Sequence, residues 1–139
     1  MIFRNLDLLS QDPGAFLLYV TLILTALVAS FTVHEFSHAL VATTLGDDTA
    51  KRLGRLSLNP RVHLDPVGSF MILLAGFGWG KPVPVDGRAF GVNALRSMMF
   101  VAAAGPISNF LIAFAIIVLF KVGIVEPPLT LGSFRLLPW

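Results

Sequence analysis

The dominant pattern along the chain is a predominantly apolar stretch from Ala15 to Leu45, bounded by Asp12-Pro13 ahead of it and Gly46 behind it. Asp caps a helix N-terminus, Pro suits the first turn and Gly ends a helix, so these residues predict where the helix begins and stops. About 31 residues at 1.5 Å each give a rod of roughly 46 Å, longer than the roughly 30 Å hydrocarbon layer of a bilayer. The predicted helix therefore spans a membrane and tilts or protrudes. A second run of spanning length covers Leu95 to Phe120. Between the two, Pro66 to Trp79 is apolar but only about 14 residues long, too short for a helical crossing, and contains Gly68, Gly76 and Gly78. The pattern predicts a membrane all-α fold with two clear transmembrane helices plus a short re-entrant or third apolar segment. By length the chain is a single membrane-embedded domain over 1–139.

The polar intervals carry the topology signal. Lys51, Arg52, Arg55 and Arg61 lie in residues 47–65, and Lys81, Arg88 and Arg96 in residues 80–96. Cations concentrate in cytoplasmic loops, so both intervals are expected in the cytoplasm, with the first helix running inward and the second outward. With both flanks on one side, Pro66–Trp79 is better read as re-entrant than as a crossing. Within the first loop Arg55-Leu56-Ser57-Leu58 alternates like a strand and ends at the Asn59-Pro60 turn signal, which predicts small β elements there. Lys81-Pro82-Val83-Pro84-Val85 excludes helix. It reads either as a sheet edge able to pair with an extended peptide or as a plain proline-rich connector.

Composition agrees with the membrane reading: 55% hydrophobic, 13% charged, mean hydropathy +0.81. These values suit a lipid bilayer as surroundings and do not suit an ordinary soluble globule. The isoelectric point near 9.5 rests on a net charge of only +2, so the basic residues report topology, and no nucleic-acid partner is implied. Residues 1–12 are mixed and polar. A single Arg4 makes a poor secretory n-region, and the apolar run continues past the small residues Ala26, Ala29 and Ser30, so an uncleaved anchor is expected. Residues 121–139 are mixed and proline-rich, with no third long apolar run, and the chain has no internal repeat.

The candidate chemistry lies near the end of the first apolar run, at His34-Glu35-Phe36-Ser37-His38. Residues four apart on a helix share a face one turn apart, so His34 and His38 can hold one metal ion. Glu35 beside them can take a proton from a water the metal activates and pass it to a leaving amine. This is the H-E-x-x-H arrangement of zinc hydrolases. The plain alternative is a polar trio satisfying itself inside a helix bundle, but ionisable groups within a membrane segment are functional candidates by default. With no cysteine, a metal must use imidazole, carboxylate, amide or water oxygen, a set that suits Zn2+. In the second helix Ala102-Ala103-Ala104-Gly105 permits close helix approach and Pro106 loosens the backbone. Asn109 either packs between helices or faces the site.

Several blocks in order, namely His34 to His38, Arg55 to Pro60, His63-Leu64-Asp65-Pro66-Val67-Gly68, Gly78 to Val85 and Gly105-Pro106-Ile107-Ser108-Asn109, together resemble the compact site-two protease family of intramembrane zinc metalloproteases. The resemblance covers nearly everything from residue 30 to about 110. It implies that His34 and His38 are zinc ligands and Glu35 the catalytic base. The implied substrates are membrane-spanning or membrane-proximal segments of other proteins. The loop charges and the position of His38 near the C-terminal end of its helix lead to an integral membrane protein of the cell membrane, with the site expected nearer the cytoplasmic face.

The family's third ligand is an Asp in a later Asn-x-x-Pro-x-x-x-Leu-Asp-Gly motif, which this sequence lacks. Arg135-Leu136-Leu137-Pro138 resembles the start of that motif, so either the chain is C-terminally truncated or it is a departed member. His63 and Asp65 are the loop candidates to replace the missing ligand, their plain alternative being a turn before Pro66. A partner chain, a second copy included, is another source. Three functions follow: an intramembrane protease acting on a membrane protein or peptide, a noncatalytic protein of the same fold that binds a partner or metal, and, less in keeping with a site on one helix, a zinc transporter.

Overall fold

The computed structural model describes residues 6–75 and 77–124. Its regular elements among the described residues are all helical: α1 (Leu6–Gln11), α2 (Pro13–Thr44), α3 (Thr49–Arg52), α4 (Pro66–Ala75) and α5 (Ala94–Lys121), with 3-10 turns at Pro60–Val62 and Gly87–Asn93. The chain divides into two compact units, Met1–Asn109 and Phe110–Trp139. The candidate site lies wholly within the first.

α2 starts and stops where its boundary residues dictate. Asp12 is the N-cap, its Oδ1 accepting from the Ala15 amide at 2.9 Å, and Pro13 opens the first turn. At the other end Gly46 takes φ +108°, the Gly46 amide donates to Thr43 O at 3.1 Å and the Asp47 amide to Ala42 O at 2.9 Å. Those two bonds are a Schellman closure, and the left-handed residue it requires favours glycine. α2 and α5 are long and apolar enough to cross a membrane. Their apolar side chains are largely left outward: Leu17, Leu18 and Leu27 on α2, and Met99, Phe100 and Ile107 on α5, are exposed. A soluble protein would bury such surface, whereas a lipid-facing helix has no reason to.

The small core sits where the C-terminal part of α2 meets the start of α5. Ala42, Phe90 and Val101 are buried together, with Val41, Val85 and Ala94 packed around them. Beside it, Asp47 is 1% exposed. Its Oδ1 accepts from the Thr49 amide at 2.9 Å and its Oδ2 from the Asp86 amide at 2.8 Å. Burial, the largest single influence, works to raise this carboxyl. Hydrogen bonds from Thr49 and the Asp86 amide outweigh it, and Asp47 titrates below the ordinary carboxylate value. One buried carboxylate thus ties the end of α2 to the loop that leads into α5.

The expected small β elements are not found: no strand occurs among the described residues. Leu64 and Gly80 form only an isolated antiparallel bridge, flanked by the Lys81 amide donating to His63 O at 2.8 Å. The alternation at 55–58 fails to make a strand because local groups take the backbone instead. Arg55 Nη1 donates to Val62 O, the Ser57 amide to Arg55 O at 2.9 Å, and His63 Nε2 to Ser57 O at 2.7 Å. Residues 81–85 are irregular, as alternating prolines without amides require. The Leu64–Gly80 bridge also shows that the apolar segment between them returns: α4 leaves from Pro66 and the chain is back beside its start by Gly80.

Candidate metal centre

His34, Glu35 and His38 all lie on α2, and the helix does what the spacing predicts. One nitrogen from each imidazole and a Glu35 carboxylate oxygen lie within 4.8 Å of one another. The two rings stand edge to face, centroids 4.7 Å apart. Glu35 is 8% exposed and the histidines are half-buried.

The other half of the site comes from α5. His38 Nδ1 lies 2.6 Å from Val101 O. A carbonyl only accepts, so Nδ1 carries the proton and the Nε2 lone pair of His38 is left free. His34 Nδ1 lies 3.3 Å from Nδ2 of Asn109. Asn109 therefore lies against His34, which is on the helix that carries the cluster. Between these contacts, one turn from each, comes Gly105. A Cβ built there would lie 2.5 Å from both His34 Nε2 and His38 Nε2. The missing side chain is the space in front of the two ring nitrogens.

The observed cradle fits a metal ion. Both Nδ1 atoms are engaged by α5, both Nε2 atoms face the space Gly105 leaves, and a carboxylate lies within reach. Nitrogen and oxygen donors without sulfur suit zinc among the first-row metals. Among the described residues no further His, Asp or Glu joins the three. His63 and Asp65 do not. His63 is fully buried with Nε2 donating to Ser57 O, and Asp65 Oδ1 accepts from the Val67 and Gly68 amides at 3.0 and 2.9 Å, capping α4. Their turn reading is the right one. Arg135 to Pro138 lie outside the described residues.

Sequence reasoning placed both histidines and the glutamate but had no means of finding the Val101 carbonyl, a backbone group that every residue type carries. Gly105 was legible as a close-approach position, though what approaches is a pair of imidazoles.

The described residues form a helical chain with a His-Glu-His cluster able to hold a metal ion, placed on a helix of membrane-spanning length. Its relatives narrow this. Over 88 residues the chain is 54% identical to the "Putative zinc metalloprotease YwhC" of Bacillus subtilis (strain 168), a match covering 63% of this chain and 40% of that protein. It is 30% identical over 95 residues to the "Putative zinc metalloprotease Rip2" of Mycolicibacterium smegmatis (strain ATCC 700084 / mc(2)155), covering 66% of this chain and 37% of that one. Both relatives are named as zinc metalloproteases, and the two matches are consistent with a piece of a site-two protease. The matches span about two fifths of the length of these relatives. No protein-family model matches the chain, and no solved structure matches it.

Proposed function

We propose that this chain carries the metal centre of an intramembrane zinc metalloprotease, which hydrolyses peptide bonds in or near transmembrane segments of other proteins. The observation that carries the proposal is the convergence of His34 Nε2 and His38 Nε2 on the gap at Gly105, with the Glu35 carboxylate beside them. The names of the two relatives favour the same chemistry.

His34 and His38 would hold the zinc ion through Nε2. When bound, zinc supplies Lewis-acid polarisation of a carbonyl and makes a nearby water more acidic. The protein's own part is proton handling and alignment. Glu35 takes a proton from the attacking water at its carboxylate and delivers it to the nitrogen of the departing amine. Val101 O fixes the His38 ring by accepting from Nδ1. The buried setting of Glu35 keeps it oriented towards the histidines.

His38 lies six residues, about 9 Å, before the end of α2. With basic loops at residues 47–65 and 80–96 on the inner side, this puts it in the cell membrane nearer the cytoplasm, where water enters. A helical substrate hides its carbonyls in its own hydrogen bonds and must be unwound, and the Pro82–Val85 stretch is the segment suited to hold it extended.

The test is bound zinc, and cleavage of a model transmembrane substrate, by wild type and Glu35→Gln. Zinc bound by both, with cleavage by wild type alone, is the expected result. Zinc without Glu35-dependent cleavage would sink the protease assignment.

A further inference from the structure

The two histidines are held differently, and the difference points to a role for Asn109. An imidazole that ligates through Nε2 must carry its proton on Nδ1, and that proton needs an acceptor. His38 meets the requirement outright through Val101 O at 2.6 Å. His34 does not. Its Nδ1 faces the Asn109 Nδ2 amine at a long 3.3 Å, a donor, which selects the tautomer with the proton on Nε2 and no lone pair there. At the same residue Asn109 Oδ1 is buried with no hydrogen-bond partner. A buried acceptor left unpaired beside a ring nitrogen that needs one is the signature of a carboxamide turned the wrong way for ligation.

We propose that Asn109 is a positioning residue for His34: with its carboxamide turned by half a rotation, Oδ1 accepts from His34 Nδ1–H and frees Nε2 for zinc. The two orientations have nearly the same shape, so the turn needs no movement of α5. The proposal rests on His34 being a zinc ligand. It gives Asn109 no contact with substrate: its effect passes through the imidazole.

The experiment uses the full chain in detergent micelles, with zinc affinity read by competition against a chromophoric chelator and the imidazole and carboxamide nitrogens followed by 15N NMR. Wild type is compared with Asn109→Leu, which removes the acceptor, and Asn109→Asp, which can only accept. Expected are a 10- to 100-fold loss of zinc affinity in Asn109→Leu, the usual range for removing such a partner, and an affinity in Asn109→Asp within a few fold of wild type. In wild type, the Asn109 side-chain amide signal should move on zinc addition together with the His34 ring nitrogens. This readout holds even if Asn109→Leu does not fold. Zinc affinity unchanged in a folded Asn109→Leu, or a wild-type Asn109 amide signal that ignores zinc, overturns the proposal. Unchanged affinity with lost cleavage also overturns it and assigns Asn109 to the substrate instead. Failure of wild type to bind zinc at all overturns the metalloprotease assignment and this proposal together.

Discussion

Gly105 on α5 stands directly against His34 and His38 on α2, so close that a single added carbon would reach 2.5 Å from both Nε2 atoms. No real Cβ tolerates that approach, so one of the three residues must move. Gly105→Ala should therefore lose zinc binding by at least about 10-fold. The substitution itself favours helix by roughly 1 kcal/mol, so a loss of helix cannot account for the effect. Chelator competition together with circular dichroism checks both halves: zinc affinity down, helicity kept.

Glu35 lies within reach of the histidines but is assigned to the proton, not to the metal. Glu35→Gln keeps size and burial and removes the base. Cleavage should fall by about 10²- to 10⁴-fold, while zinc stoichiometry stays at the wild-type level. A comparable fall in bound zinc would make Glu35 a ligand instead.

Asp47 ties the end of α2 to the loop before α5 through two backbone amides. In Asp47→Asn one of those amides faces an NH2 group, and stability should drop by roughly 1–3 kcal/mol. The carboxyl titrates below its ordinary value of 3.8 when folded. Its contribution is therefore complete above the unfolded value and is lost as pH falls through the lower folded value. Thermal melts from pH 7 down to 3 should show the gap between wild type and Asp47→Asn constant near neutrality and closing below about pH 4. A gap that widens on acidification would mean that the carboxylate is not stabilised by the fold.

His63 is fully buried and donates to Ser57 O, away from the metal centre. His63→Phe should lower the melting temperature, since Ser57 O loses its donor, at a cost of about 1–3 kcal/mol. Zinc affinity should remain within a factor of two or so of wild type. A drop on the scale seen for removing a supporting group, 10-fold or more, would return His63 to the coordination shell.

The two long helices and the shared face of His34 and His38, with Glu35 beside them, were legible because each depends on neighbours in sequence. Asp12-Pro13 and Gly46 act on the turns beside them, and a four-residue separation sets direction on a helix whatever surrounds it. The strand expectation at Arg55 to Leu58 failed for a related reason. Alternation predicts a strand only if a partner edge exists, and here Arg55 and His63 side chains claim the carbonyls first.

The sequence by itself thus determined which helix carries the chemistry and which three side chains meet on it. Only the tertiary structure decided what faces them: Val101 O on His38, Asn109 on His34 and the empty side-chain position of Gly105 before both Nε2 atoms. These contacts join residues 63 and 75 positions apart. They depend on how two helices are rotated and set against each other, which the buried Asp47 latch and the Ala42–Phe90–Val101 core fix. Helical periodicity is a local property and survives in any surroundings, whereas the register between two helices exists only once they have packed.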